Sequence, residues 1–219
     1  MATPQWDKLH LRLASGARDA VATASTAGKD LSVADRDNYL NYAYSKYILL
    51  LYNTYHSSNL EILKSAFQSM IKVVAKTAIT GVIDPSAQAN YGLFLSMVSD
   101  LGVSPIRVPQ EDFNRIKYSV SGEIIATDDS QFCYPEGRTS IQILPVSIAD
   151  DYLITYIAQP VTITQGGSTD IPLSDDHFDP LVSFALWNHY RDKQEFEIAN
   201  MYLKDAYSTA PFPISIKES

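Results

Sequence analysis

The stretch that most constrains the fold is the run of residues 171–207, IPLSDDHFDPLVSFALWNHYRDKQEFEIANMYLKDAY. Asp179 followed by Pro180 is typical of a helix start, because an aspartate caps free backbone N–H groups and a proline in the first turn has no N–H to lose. Apolar residues then recur at helical spacing, five polar residues interrupt them, and a second amphipathic pattern begins at Phe196. The pattern predicts an antiparallel pair of helices whose apolar seam needs a cover from elsewhere in the chain.

The first third of the chain offers helices that could cover this seam. Ser32 with Asp35 three residues later is typical of a capped helix start, and the apolar pattern predicts a helix to about residue 53. Apolar residues at helical spacing continue through residues 58–81. We therefore expect two long helices here, preceded by a short helical leader at residues 4–13.

The spacing of apolar residues changes between Gly81 and Ile163. Prolines and glycines divide this region into short pieces. Three of them are typical of strands, at residues 131–134, 139–144 and 152–158. The sequence thus predicts an α+β fold, with a helical bundle formed by the N- and C-terminal helices and a small antiparallel β-sheet lobe inserted between them.

Four parts follow from these patterns along the chain. They are N-terminal helices at 1–81, an inserted β-rich lobe at 82–165, a C-terminal helical hairpin at 166–207 and an extended C-terminal arm at 208–219. Two prolines in the arm exclude a regular helix, yet Phe212, Ile214 and Ile216 alternate as in a strand. An alternating apolar arm needs a partner surface, in this chain or in a neighbour.

Charge and composition exclude several functional classes. The chain has 17 Lys and Arg against 25 Asp and Glu, a net charge of −8, which argues against binding nucleic acid by neutralising phosphates. The longest apolar run, residues 47–52, is far shorter than the roughly 20 residues of a membrane span. Cys133 is the single cysteine, so intramolecular disulfides are impossible. These features predict a soluble protein that is made in a reducing cytoplasm and has no membrane partner.

Catalytic chemistry has two candidates. The acidic group Asp175, Asp176, His177 and Asp179 could hold a divalent ion in a hydrolase, or its acids could stabilise a helix N-terminus, where unpaired N–H groups favour negative charge. No second cluster of acids and histidine completes a coordination shell, so the sequence favours the structural role. Cys133 would need a histidine base, and all four histidines fall in predicted helical parts, which favours a buried thiol. We expect no metal, no cofactor and no enzymatic activity.

A series of short motifs follows a fixed order along the chain. A proline precedes an Asp-Phe pair, a strand ends in Ile-Leu-Pro, another reads Ile-x-Tyr-Ile-x-x-Pro, and an Ile-Pro-Leu lead enters paired helices with Ala-x-x-Tyr near their end. These motifs are Pro109 with Asp112 and Phe113; residues 143–145; Ile154, Tyr156, Ile157 and Pro160; residues 171–173; and Ala199 with Tyr202. The order resembles the head-to-tail connector proteins, also called neck or adaptor proteins, of tailed bacteriophages. Residues 32–48 resemble the first long helix of that family, and the resemblance covers about residues 32–207.

The resemblance implies a structural virion protein. Such a chain is a non-enzymatic subunit of a ring, commonly of twelve copies, in the neck between capsid and tail. It is made in the host cytoplasm, binds the portal protein and a tail or second neck protein, and contacts DNA only as the DNA passes through the channel. The acidic balance agrees with this role, because a negatively charged channel repels DNA. Candidate interface residues are Trp187 and the arm residues Phe212, Ile214 and Ile216.

Two other functions remain open at this stage. One is a cellular helical-hairpin interaction module that binds a peptide in a groove between its helices. The other is a metal-dependent hydrolase centred on Asp175, Asp176 and His177. A ring distinguishes the connector from the first alternative, and a bound metal ion would favour the second.

Overall fold

The computed structural model describes residues 4–18, 30–85, 88, 90–119, 124–137, 139–167 and 171–214. The fold is α+β. Its helices are α1 (Pro4–Gly16), α2 (Val33–Tyr55), α3 (Leu60–Ala66), α4 (Gln110–Tyr118), α5 (Phe178–Asp192) and α6 (Phe196–Ser208). Its strands are β1 (Ile71–Thr77), β2 (Val82–Ile83), β3 (Leu93–Ser99), β4 (Ile106–Arg107), β5 (Phe132–Glu136), β6 (Ser140–Leu144) and β7 (Asp151–Ile157). The chain divides into two compact units, unit 1 (Met1–Ser69 and Pro160–Ser219) and unit 2 (Met70–Gln159).

The predicted C-terminal hairpin is confirmed as α5 and α6 in unit 1. Its start is corrected, because α5 begins at Phe178 after a 3-10 helix over Asp175–His177. Asp179 therefore lies inside the first turn, where its negative charge still interacts favourably with the positive end of the helix dipole. Two small buried residues of α6, Ala199 and Ala206, allow a close approach of the two helices.

The predicted helix from Ser32 is confirmed as α2. Ser32 accepts a hydrogen bond from the Asp35 backbone, and the Asp35 side chain accepts one from the Ser32 N–H, so the pair forms a capping box. Buried residues on the inner face of the helix pack against α5. They include Leu40, Ala43, Tyr47 and Leu51. This face supplies the cover that the hairpin seam requires.

Asp37 of α2 fixes α1 and a returning segment of chain. Its Oδ1 accepts a hydrogen bond of 2.8 Å from the Trp6 indole N–H and lies 2.9 Å from Nε2 of His10, both in α1. The backbone N–H of Gln165 reaches both oxygens, at 3.0 and 3.1 Å. Trp6 and His10 are buried. One carboxylate therefore joins three segments of unit 1.

The helix predicted over residues 58–81 is wrong. Asn59 caps the short helix α3, a 3-10 helix covers Gln68–Met70, and β1 follows. Ile71, Val73 and Val74 are β-branched, and such side chains favour strands. Every residue of β1 pairs with β7, from Ile71 opposite Ile157 to Thr77 opposite Asp151. The pairing overrides a spacing that also fits a helix.

Unit 2 contains two sheets, where one small antiparallel sheet was predicted. The first is antiparallel with strand order β1-β7-β3, and the second has the order β2-β6-β5-β4. The second is mixed, because the two-residue strand β4 pairs parallel to β5. Buried side chains from strands of both sheets form one core. They include Phe94, Met97, Ile141, Ile143, Ile154 and Tyr156.

Candidate interaction surfaces

The acidic group at the start of α5 is paired with cations of α1. Lys8 lies 3.7 Å from Asp175, and Arg12 lies 2.5 Å from Asp179. Lys8 and Arg12 are one helical turn apart, so a single face of α1 supplies both charges. Among the described residues, no group of three or more His, Cys, Asp or Glu is arranged to hold a metal ion. The acids thus take the helix-terminus position that the sequence favours.

His177 takes no part in the ion pairs of these acids and packs within unit 1. It is buried, and its Nδ1 lies 2.8 Å from the Tyr47 hydroxyl. Burial lowers the pKa of His177 and raises the pKa of Tyr47. The imidazole is therefore neutral and the phenol protonated at neutral pH, and the two groups share one buried hydrogen bond. His177 is a packed core residue whose ring is held in one orientation.

Cys133 in β5 is confirmed as a buried thiol. Its side chain is fully buried, and its sulfur lies 3.9 Å from the carbonyl oxygen of Pro105. Burial raises the pKa of the Cys133 thiol to about 12. Because the thiolate is the nucleophilic form, this thiol is unreactive at neutral pH.

Trp187 is the centre of an aromatic and cationic surface in unit 1. We define the Trp187 face as Tyr42 and Lys46 of α2 with Trp187 and Arg191 of α5. The Tyr42 and Trp187 rings stack with centroids 6.4 Å apart. The Arg191 guanidinium lies 4.7 Å, and the Lys46 ammonium 5.6 Å, from the indole centroid. Such cation–π contacts hold both basic side chains over the ring.

The spacing of aromatic and basic residues in the sequence indicates this face, although no motif described above includes it. Tyr42 and Lys46 are four residues apart on α2, and so are Trp187 and Arg191 on α5. Residues at that spacing are neighbours on a helix surface. Two aromatic–cation pairs on packed helices could therefore have been anticipated, although the crossing of α2 and α5 could not.

The C-terminal arm packs against unit 1 through Phe212. The Phe212 ring centroid lies 6.5 Å from that of Tyr55 and 6.1 Å from that of His177. The Tyr55 hydroxyl donates a hydrogen bond to the carbonyl oxygen of Pro213. Ile214 is half-buried, and Ile216 lies outside the described residues. The interface role of Trp187, Phe212, Ile214 and Ile216 stays a prediction.

A second exposed apolar surface lies on unit 2, on the side of the β1-β7-β3 sheet opposite the core. We define this outer sheet face as Val73, Ala75, Val98 and Leu153. Ala75 and Val98 both pair with Leu153, so the three share one side of the sheet. Val73 is 60% and Leu153 is 50% exposed. The sequence analysis did not find this face because it assigned β1 to a helix.

No protein-family model matches the chain, and no curated protein matches it. A function therefore has to be inferred from the surfaces described above. In the part of the chain that the structure describes, no helix combines the length and hydrophobicity needed to cross a membrane.

Proposed function

We propose that this chain is a structural virion protein, a non-enzymatic subunit of a ring in the neck of a tailed bacteriophage. The ring joins the portal protein to the tail or to a second neck protein, and DNA passes through its channel.

The observation that carries the proposal is the order in which the connector-like motifs fall on the secondary structure. Pro109 is the N-cap residue of α4, and Phe113 of that helix is buried. The Ile-Leu-Pro motif ends β6, and Ile154 and Tyr156 are buried residues of β7, the central strand of its sheet. Each motif thus marks the start, the core or the end of an element.

The same order continues in unit 1. Ile171 and Leu173 of the lead are buried just before α5. Ala199 is buried in α6, and Tyr202 of that helix stacks on Tyr190 with centroids 5.5 Å apart. The motifs therefore lie at positions that form the fold, which supports the proposal.

Two surfaces, the partly exposed Trp187 face and the exposed outer sheet face, support an assembling protein. The Trp187 face combines tyrosine, tryptophan and arginine, the side chains that are enriched at protein interfaces. The outer sheet face exposes a row of aliphatic side chains, and exposed apolar patches mark interaction sites. The net charge of −8 favours a channel that repels passing DNA.

The proposal is tested by measuring mass and shape. Light scattering and negative-stain microscopy are applied to the pure chain and to the chain mixed with portal protein of the phage that encodes it. We expect a closed ring in at least one of the two samples. A chain that stays monomeric in both, at high concentration, refutes the proposal.

A peptide-binding module is the second candidate, and one cleft favours it. This cleft of unit 1 has a volume of about 940 Å³ and is lined by Gln5, by residues 65, 66, 68 and 69 and by residues 171–174. Its lining is neutral and includes Ser65, Ser69 and Ser174, which could bind a peptide backbone. Capture of a peptide at one-to-one stoichiometry by a chain that forms no ring, lost in a Ser65→Trp variant, would support this function instead.

A further inference from the structure

The attachment of the C-terminal arm to unit 1 is shallow. Phe212 is half-buried, while Pro211 and Pro213 on either side are exposed. The arm is held by the ring contacts of Phe212 and by the hydrogen bond from Tyr55 to the Pro213 carbonyl. The two prolines have no N–H, so the arm does not depend on pairing with a strand. The arm thus offers one aromatic ring, that of Phe212, and one carbonyl oxygen, that of Pro213, to this surface.

The surface that receives Phe212 consists of residues from α2 and from the 3-10 helix before α5. We call Tyr55 and His177 the arm site. Tyr55 is the last residue of α2, and its side chain is buried at the edge of unit 1. The Nδ1 of His177 also lies 2.8 Å from the Tyr47 hydroxyl of α2. The arm site therefore has a contact within unit 1 that does not involve the arm.

The helix before the arm is also complete in itself. The Thr209 N–H donates to the Asp205 carbonyl over 2.9 Å, and the Thr209 and Ser208 hydroxyls donate to the same oxygen over 2.8 and 3.0 Å. These bonds close the last turn of α6 with donors from the end of the helix itself. The Ser183 hydroxyl holds α6 on α5 through the Asp205 carboxylate at 2.5 Å. None of these bonds involves Phe212 or Pro213.

We propose that the arm is exchanged between copies, so that Phe212 and Pro213 of one copy occupy the arm site of the next copy. The inference rests on the proposed ring function and names the contact that closes the ring. Exchange of an identical segment keeps every contact that the arm makes within one chain. The exchange costs the free energy of bringing two copies together, and the other contacts between neighbouring copies in the ring offset that cost. A head-to-tail exchange also uses two different surfaces, as ring closure requires.

The experiment follows the arm by cross-linking between distinguishable chains. An unlabelled Phe212→benzoylphenylalanine variant is mixed in equal amounts with the ¹⁵N-labelled wild-type chain, unfolded together and refolded. The ring fraction is isolated and illuminated, and peptides joined to the segment around Tyr55 are identified by mass spectrometry. If the arm is exchanged, about half of these cross-links join an unlabelled arm to a ¹⁵N-labelled α2.

Two further variants keep the result interpretable. Because Phe212 is half-buried, the photoreactive residue is also placed at the exposed Pro213, where it disturbs folding less. The matched control places it at Phe196, which is 60% exposed at the start of α6. We expect no cross-links from position 196 to the segment around Tyr55.

The outcomes separate the two proposals. Rings whose arm cross-links join only unlabelled to unlabelled chain overturn the exchange and leave the ring function standing. The exchange is also wrong if neither position 212 nor position 213 cross-links to α2. A mixture that yields no ring, alone or with portal protein, overturns both proposals.

Discussion

Replacing Asp37 tests how unit 1 is held together. In an Asp37→Ala variant, the Trp6 indole, the His10 ring and the Gln165 backbone lose the oxygen atoms that they contact. A hydrogen bond to a charged group contributes about 1.5–3 kcal/mol, and Trp6 and His10 are too buried for water to replace the carboxylate fully. The Asp37 side chain is itself 14% exposed, so some water enters. We expect a loss of about 3 kcal/mol in the free energy of unfolding.

The assay is chemical denaturation followed by tryptophan fluorescence. Trp6 and Trp187 are the two tryptophans of the chain, and both belong to unit 1. Their fluorescence therefore reports the unfolding of the unit that contains Asp37, even if unit 2 unfolds separately. The transition of the Asp37→Ala variant should shift to lower denaturant with little change in slope.

Asp179→Ala is the matched control. Asp179 also contacts α1, through Arg12, but its side chain is 68% exposed. An exposed ion pair contributes at most about 1 kcal/mol because water screens it. If Asp37→Ala costs no more than Asp179→Ala, the Asp37 carboxylate does not join the three segments as described.

Three further predictions concern pH, assembly and the cysteine. Burial lowers the pKa of His10, His177 and His189 in the folded chain. The unfolded chain therefore binds protons first as the pH falls below about 6.5. The free energy of unfolding should decrease between pH 7 and pH 5. A denaturation midpoint that does not decrease over that range contradicts this. Trp187→Ala should reduce the yield of rings in light scattering, whereas Phe196→Ala, at an exposed residue outside both defined faces, should not; equal yields would remove the Trp187 face from the interface. A thiol reagent at pH 8 should label Cys133 rapidly only in denaturant, and fast labelling of the native chain would contradict its burial.

Local signals in the sequence predicted α2 and the α5–α6 hairpin of unit 1 well. Ser32 and Asp35 form the capping box that their spacing indicates, because both partners lie within one turn. The two helices of the C-terminal hairpin follow from a break of five polar residues. In these cases, the residues that interact to define a helix are close in sequence, so the sequence pattern predicts the helix.

The strands of unit 2 depended on contacts that the sequence does not display. Ile71 and Val74 fit a helical period, and the partner that decides their structure is β7, far along the chain. The parallel pairing of β4 with β5 involves two residues on each strand, too few for any periodic signal. The outer sheet face was missed for the same reason, since its side chains align only when three strands are paired.

The candidate site residues show the same division. The acids at the start of α5 were correctly assigned to a helix terminus, because that preference is local. The cations that pair with them, Lys8 and Arg12, come from α1 and could not be identified without the fold. Phe212 was recognised as needing a partner, and only the folded chain shows Tyr55 and His177 beside it.

The position of unit 2 within the chain has a consequence for synthesis. Unit 1 is completed by residues on both sides of unit 2, so its helices cannot all pack until the ribosome has made the last of them. Unit 2 is continuous, and the Ala158 N–H donates to the Met70 carbonyl over 2.9 Å, which brings its first and last residues together. Once unit 2 has folded, the chain entropy lost in joining α3 to the segment before α5 is that of a short turn. Because unit 2 is made as one continuous segment, all of its residues are available to fold before the last helices of unit 1 are synthesised, and its folded form keeps the two chain segments of unit 1 close together.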